Sequence, residues 1–175
     1  MLNKEQIKKL IREDGLITGY VDLDVQLTPN GFDLTAGEIF VWTEGGSLDF
    51  SNSERIVPQG QEIAPQKKDP QDRFGWWYLQ KGVYKVRTNE KVNMPATLTA
   101  LAFSRTSLLR MGAFTQNGVW DAGFKGKSEF ILVVENEHGI SLKENARLIQ
   151  LIFLPIAETE QYNGIYQNFG DRNEQ

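Results

Sequence analysis

The chain has 175 residues, 40% of them hydrophobic, with 19 Lys and Arg against 23 Asp and Glu and a formal net charge of −4. This length buries roughly two thirds of the unfolded surface in one core, so residues 1–175 are read as a single domain. The charge excludes a global positive field for a nucleic-acid polymer or an anionic membrane, and the lack of cysteine excludes disulfides and thiolate catalysis. No apolar run approaches the ~20 residues of a spanning helix, so a cytoplasmic protein is expected.

Asn3 is placed to cap a helix whose apolar positions Ile7, Leu10 and Ile11 recur at i, i+3 and i+4, and Asp14-Gly15 ends it. After it the signal changes to strands. In Pro29-Asn30-Gly31-Phe32-Asp33-Leu34, Asp33 enters a β segment after a tight turn and either closes that turn or orients a metal-bound water. β-prone runs follow at Ile39–Trp42, Gly75–Leu79, Val83–Thr88, Thr97–Phe103, Glu129–Val134 and Leu148–Leu154. Gly45-Gly46, Lys81-Gly82, Asn117-Gly118 and Glu137-His138-Gly139 mark turns between them. The polar interval Ser51 to Arg73, with three prolines, reads as a long loop. Without a second long helix-period segment, this spacing predicts an all-β sandwich or barrel with one helix and about ten strands. Residues 161–175 are polar apart from Tyr162, Ile165, Tyr166 and Phe169. They read as a tail that is mobile alone and orders over a ligand or a neighbouring subunit.

Three further segments carry candidate chemistry. In Ser104 to Gly112, Ser and Thr cap a short helical turn flanked by Arg105 and Arg110. That is either an anion site or an ordinary capped turn with two solvated arginines. In Gly118 to Gly126, three glycines let the backbone approach a ligand closely, and Asp121 between Trp120 and Ala122 is expected to be partly desolvated. Asp121 then serves as a base, or else as a turn aspartate bonding its own backbone. Gln150, inside an apolar strand, needs backbone or ligand partners. His138, the only histidine, sits in a turn, so histidine catalysis is not expected.

Taken in order, PNGFDLTAGEIF, FSRTSLLRMG, NGVWDAGFKGK, ARLIQLIF and YNGIYQNFG resemble the dUTPase and dCTP deaminase superfamily, especially its archaeal dUTPase branch. The resemblance implies a distorted jelly-roll or β-clip fold with a short N-terminal helix and a short helical turn. It also implies a homotrimer with interfacial active sites, and Mg2+ held by the substrate phosphates and not directly by protein side chains. Asp121 looks like the carboxylate that activates water. Arg105, Thr106, Ser107 and Gln150 look like phosphate contacts, with Arg110 as an additional neighbour. Phe124 falls where the family packs a ring beneath the deoxyribose, leaving no room for a 2'-hydroxyl. Asp33 matches a position that orients metal waters, and Tyr166, Gln167 and Phe169 fall in the tail that contacts substrate. The usual C-terminal Arg and Gly/Ser-rich Phe-Gly motif is replaced here by GIYQNFG, followed by Asp171-Arg172. Arg172 reads as a solvated end, its alternative role being a γ-phosphate contact.

The branch point is hydrolase against deaminase. In the related deaminases a glutamate on the strand after the GFKG-type motif moves the protons; counted from Gly126-Lys127, that position is Ile131. Glu129 is on the same strand face but about 7 Å away. The expected activity is therefore hydrolysis of dUTP to dUMP and pyrophosphate. The alternatives are a dCTP deaminase or bifunctional enzyme, and a non-catalytic nucleotide-binding homologue.

Overall fold

The structure, a computed structural model, describes residues 1–170; the expectations for Asp171 and Arg172 lie outside them. In chain order it runs α1 (Lys4–Asp14), β1 (Ile17–Thr18), α2 (Leu23–Gln26), β2 (Leu27–Thr28), β3 (Gly31–Val41), β4 (Gln61–Glu62) and β5 (Trp76–Leu79). It continues with β6 (Gly82–Asn93), β7 (Leu98–Ser104), α3 (Thr106–Arg110), β8 (Ala113–Gln116), β9 (Lys125–Val134), β10 (Ile140–Lys143) and β11 (Arg147–Pro155). α1 forms where its sequence places it. Asn3 Oδ1 accepts the Gln6 N–H at 3.0 Å, Gln6 Oε1 accepts the Asn3 N–H at 2.9 Å, and Gly15 ends the helix at φ 64°. Ile7 and Ile11 bury their side chains in the core.

Nine strands form one sheet in the order β7-β11-β3-β6-β9-β8, with β1 on β6 and β2 and β4 on β3; β5 and β10 pair separately. The two ends of this path meet. Thr115 of β8 donates its N–H to Ser104 Oγ of β7 at 2.8 Å, and Ala100 and Trp120 exchange backbone hydrogen bonds at 3.1 Å. The sheet thus curls into a nearly closed, distorted jelly roll whose interior holds Phe32, Leu34, Ile39, Leu132, Ile149 and Phe153. Along β9 the alternation is strict: Ser128, Phe130, Leu132 and Val134 point inward, and Lys127, Glu129, Ile131 and Val133 occupy the other face.

Three readings of the sequence change. The β segment that Asp33 enters and the run at Ile39 are one strand, β3, because residues 31–36 are buried in succession without a break. Asp33 is therefore a strand residue and does not close the turn. The four-residue α2, capped by Asp22, and β10 were not anticipated, and the described residues hold eleven strands and three helices. Ser104 does not cap α3: the N-cap is Arg105, without a side-chain bond, and Ser104 Oγ is spent on β8.

Behind β3 lies a buried polar network. The fully buried Glu90 accepts from Gln26 Nε2 at 2.7 Å, Thr35 Oγ1 at 2.7 Å and Thr35 N–H at 3.0 Å. Gln26 also donates to the Asp33 carbonyl at 2.9 Å and accepts the N–H groups of Val21 and Asp22. Burial pushes the Glu90 carboxyl up, and these donors pull it back only in part.

Candidate functional site

The loop between β8 and β9 is pinned on both sides. Trp120 donates from Nε1 to Ser128 Oγ at 2.7 Å, Phe124 N–H closes a turn onto the Asp121 carbonyl at 3.1 Å, and Met94 bonds both Gly123 and Phe124. Around this loop opens a cavity of about 330 Å³, lined by Gly118 to Asp121, Phe124, β9 residues Lys127 to Glu129, Tyr162, Tyr166, Phe169 and Val57. Its volume lies in the range of small-ligand sites. The Asp121 side chain is exposed, so the partial desolvation expected from its neighbours does not occur in the chain by itself. Phe124 is half-buried and meets Tyr162 edge-on with ring centroids 5.7 Å apart.

The segment 161–170 docks on its own chain across this cavity. Tyr162 N–H donates to the Ala122 carbonyl at 2.7 Å, Asn168 N–H to Lys125 at 2.7 Å, and Lys127 N–H to Phe169 at 2.9 Å. Two of the three glycines expected to admit a close approach stand against this segment. A Cβ on Gly123 would stand 2.5 Å from Gln161 Cβ, and one on Gly126, at φ 144°, would stand 2.8 Å from the Phe169 backbone. Gly118 faces open space and keeps the expected role available. The Gln167 side chain bonds the facing loop: its amide donates to the Gly123 carbonyl at 2.9 Å and accepts the Lys125 N–H at 2.9 Å. Tyr166 and Phe169 both line the cavity, ring to ring at 6.5 Å.

Glu129, set aside in the sequence reading, is on the cavity wall, whereas Ile131 is not among its lining residues. The Glu129 carboxylate is held by Arg87 Nε at 3.0 Å and Lys85 Nζ at 3.3 Å. Both cations approach the same oxygen, Oε1.

A second cluster stands at the β3, β7 and β11 end. Asp33, 1% exposed, accepts from Arg105 Nε at 2.8 Å and Arg147 Nη1 at 3.3 Å through Oδ2. Burial pushes its carboxyl up against the opposing pull of Arg105 and then Arg147. Its Oδ1 is buried without a hydrogen-bond partner among the described residues. Gln150, opposite Asp33 across β11 and β3, donates to Thr28 Oγ1 at 2.7 Å, so its partner is a side chain and not the backbone. Thr106, Ser107 and Arg110 are exposed on α3. Among the described residues none of Asp33, Arg105, Thr106, Ser107, Arg110 and Gln150 lines the Asp121 cavity, so the expected site residues fall into two groups. Arg147 escaped the sequence reading because it only opens an apolar strand; the available signal was an arginine facing a buried aspartate. Tyr162 was noted only as an apolar break in a polar tail.

Among the described residues no three His, Cys, Asp or Glu side chains converge to cage a metal, and no helix is long and apolar enough to cross a membrane. Of the two buried side-chain oxygens without a partner among the described residues, Asp33 Oδ1 and Asn117 Oδ1, only the first belongs to a carboxylate, the oxygen type that would suit a water of a phosphate-borne cation.

A family model described as dCTP deaminase-like matches residues 1–156. A probable deoxyuridine 5'-triphosphate nucleotidohydrolase of Archaeoglobus fulgidus is 42% identical over 168 residues, 95% of this chain and 95% of that one. One of the same name from Methanosarcina mazei is 43% identical over 171 residues, 96% of each chain. The deoxyuridine 5'-triphosphate nucleotidohydrolase of Methanocaldococcus jannaschii is 34% identical over 143 residues, 81% of this chain and 87% of that protein. In fold the chain is similar to the 2'-deoxycytidine 5'-triphosphate deaminase of Agrobacterium tumefaciens, with TM-score 0.65 at 21% identity, covering 89% of this chain and 48% of the other.

Proposed function

The chain belongs to the dCTP deaminase-like family, and from that premise we propose that it hydrolyses dUTP to dUMP and pyrophosphate. One observation carries the reading: an exposed Asp121 and the Phe124 ring share a ring-lined cavity of nucleotide-binding size, free of any competing metal cage among the described residues. The relatives named as nucleotidohydrolases support it over nearly the whole chain.

In this mechanism the Asp121 carboxylate aims a water at the α-phosphorus and takes its proton as the new P–O bond forms and the bond to the pyrophosphate oxygen breaks, releasing pyrophosphate. Phe124, braced by Tyr162, packs beneath the sugar and leaves a 2'-hydroxyl neither space nor partner. The backbone of 117–120 reads the pyrimidine edge, and Tyr166 and Phe169 cover the nucleoside. Arg105, Thr106, Ser107, Arg110 and Gln150 bind phosphate, the arginines absorbing charge as the leaving group departs. Because these residues are absent from the Asp121 cavity, we assign them to a neighbouring subunit, in a homotrimer with interfacial sites. Magnesium borne by the phosphates supplies charge neutralisation when bound. Asp33, its carboxylate fixed by Arg105 and Arg147, is the residue that would orient the waters of that ion. A cytoplasmic setting provides the substrate.

Deamination of dCTP is the second reading, because Glu129 lies on the cavity wall. Its Oε1 is already engaged by Lys85 and Arg87, and Ile131 has no proton to give. Incubation with each nucleotide separates the two: pyrophosphate from dUTP with no ammonia from dCTP is expected, and ammonia from dCTP alone overturns the assignment.

A further inference from the structure

Arg87, on β6, is 8% exposed, and no sequence pattern marks it. Its guanidinium lies between two rings, 5.1 Å from the Phe40 centroid and 4.9 Å from that of Phe169. Its edge donates to Glu129 Oε1 from Nε at 3.0 Å and to Glu38 Oε2 from Nη1 at 2.9 Å. One of these rings and one of these carboxylates, Phe169 and Glu129, line the Asp121 cavity. A guanidinium gripped at its edge by carboxylates is held in place whether or not a ligand is present, and its faces then attract aromatic rings.

We infer that Arg87 is a positioning residue that holds the C-terminal segment over the Asp121 cavity by clamping Phe169 and ties that closure to Glu129 on the cavity wall. Its kinetic consequence rests on the dUTP reading; the docking does not. Gly126 allows the approach, since a Cβ there would meet the Phe169 backbone at 2.8 Å, but it supplies no attraction. Arg87 supplies it. Without the cation, the Phe169 ring keeps only its apolar contacts, and the backbone bonds of Lys127 and Asn168 to the segment open more often.

Hydrogen exchange on the full chain without nucleotide tests this. In Arg87→Met the amides of Lys127 and Asn168 are expected to exchange about tenfold faster, with β11 amides unchanged, whereas Arg87→Lys keeps most of the protection. Phe169→Ala is expected to give the same loosening, and the double variant no more than either. For dUTP, KM is expected to rise about tenfold in both single variants with kcat changed less. Unchanged protection in Arg87→Met, or additive effects of the two substitutions, overturns the inference. Should Arg87→Met speed exchange throughout the sheet, Phe169→Leu, which leaves the charged cluster intact, takes its place. Faster exchange confined to Lys127 and Asn168 then supports the clamp, and unchanged exchange overturns it. Exchange is read without substrate, so a chain that fails to turn over dUTP still answers.

Discussion

Asp121 stands exposed beside a cavity of rings, whereas Asp33 is sealed in the sheet with one oxygen shared between Arg105 and Arg147. The exposed carboxylate is open to solvent. The sealed one holds two guanidinium groups in a fixed array, which suits phosphate more than sugar or base. On the proposed reading these are the nucleoside and phosphate halves of one site, carried in different places on a single chain, and the chemistry requires that they meet.

The strongest way to break this comparison is to disarm each half. Asp121→Asn keeps size and hydrogen bonding but loses the basic oxygen; turnover of dUTP is expected to fall about 10³-fold with binding held within about tenfold. Single-turnover kinetics with titration of a non-hydrolysable analogue check it, and undiminished turnover removes Asp121 from the mechanism. Arg105→Ala is expected to cost about 100-fold in kcat/KM and also to destabilise the fold by about 3 kcal/mol, because Asp33 loses its nearer cation in a buried place. Chemical denaturation and kinetics read the two effects separately. Phe124→Ala is expected to narrow the preference for dUTP over UTP by about tenfold, measured as the ratio of kcat/KM values; an unchanged ratio assigns sugar selection elsewhere.

The smallest effect is on stability against pH. Burial raises the Glu90 carboxyl above 4.5 in the folded chain, so the folded state keeps that proton to higher pH than the unfolded chain does. The contribution is fully present below 4.5 and is lost as pH rises through the raised folded value. Glu90→Gln removes this decline while leaving that of Asp33, so parent and variant melting curves across acidic to neutral pH should diverge in slope. Parallel curves would show that Glu90 does not titrate in this window.

The sequence disclosed what local chemistry decides. Asn3, Gln6 and Gly15 spell a capped helix, and the alternation from Ser128 to Val134 spells a strand with one face in the core. Residues 31–36 gave no such signal, since burial of successive positions erases the period of two. Asp121 and Phe124 could be placed because their motif is compact in sequence, and both line the cavity. Arg147, Arg87 and Glu129 could not, because each acquires its partner from a strand about 40 residues away or more: Arg147 from Asp33, and Arg87 and Glu129 from each other. The three glycines were legible as points of close approach, but only the folded chain shows that its own residues 161–170 make the approach at two of them.

Co-expression of Asp121→Asn with Arg105→Ala tests most directly whether the two halves come together between subunits. Each variant alone is nearly inactive, and in a mixed trimer one interface pairs an intact cavity with an intact phosphate cluster. The account predicts that the mixture regains about one quarter of the parental rate of pyrophosphate release from dUTP. A mixture as inactive as its parents would contradict it.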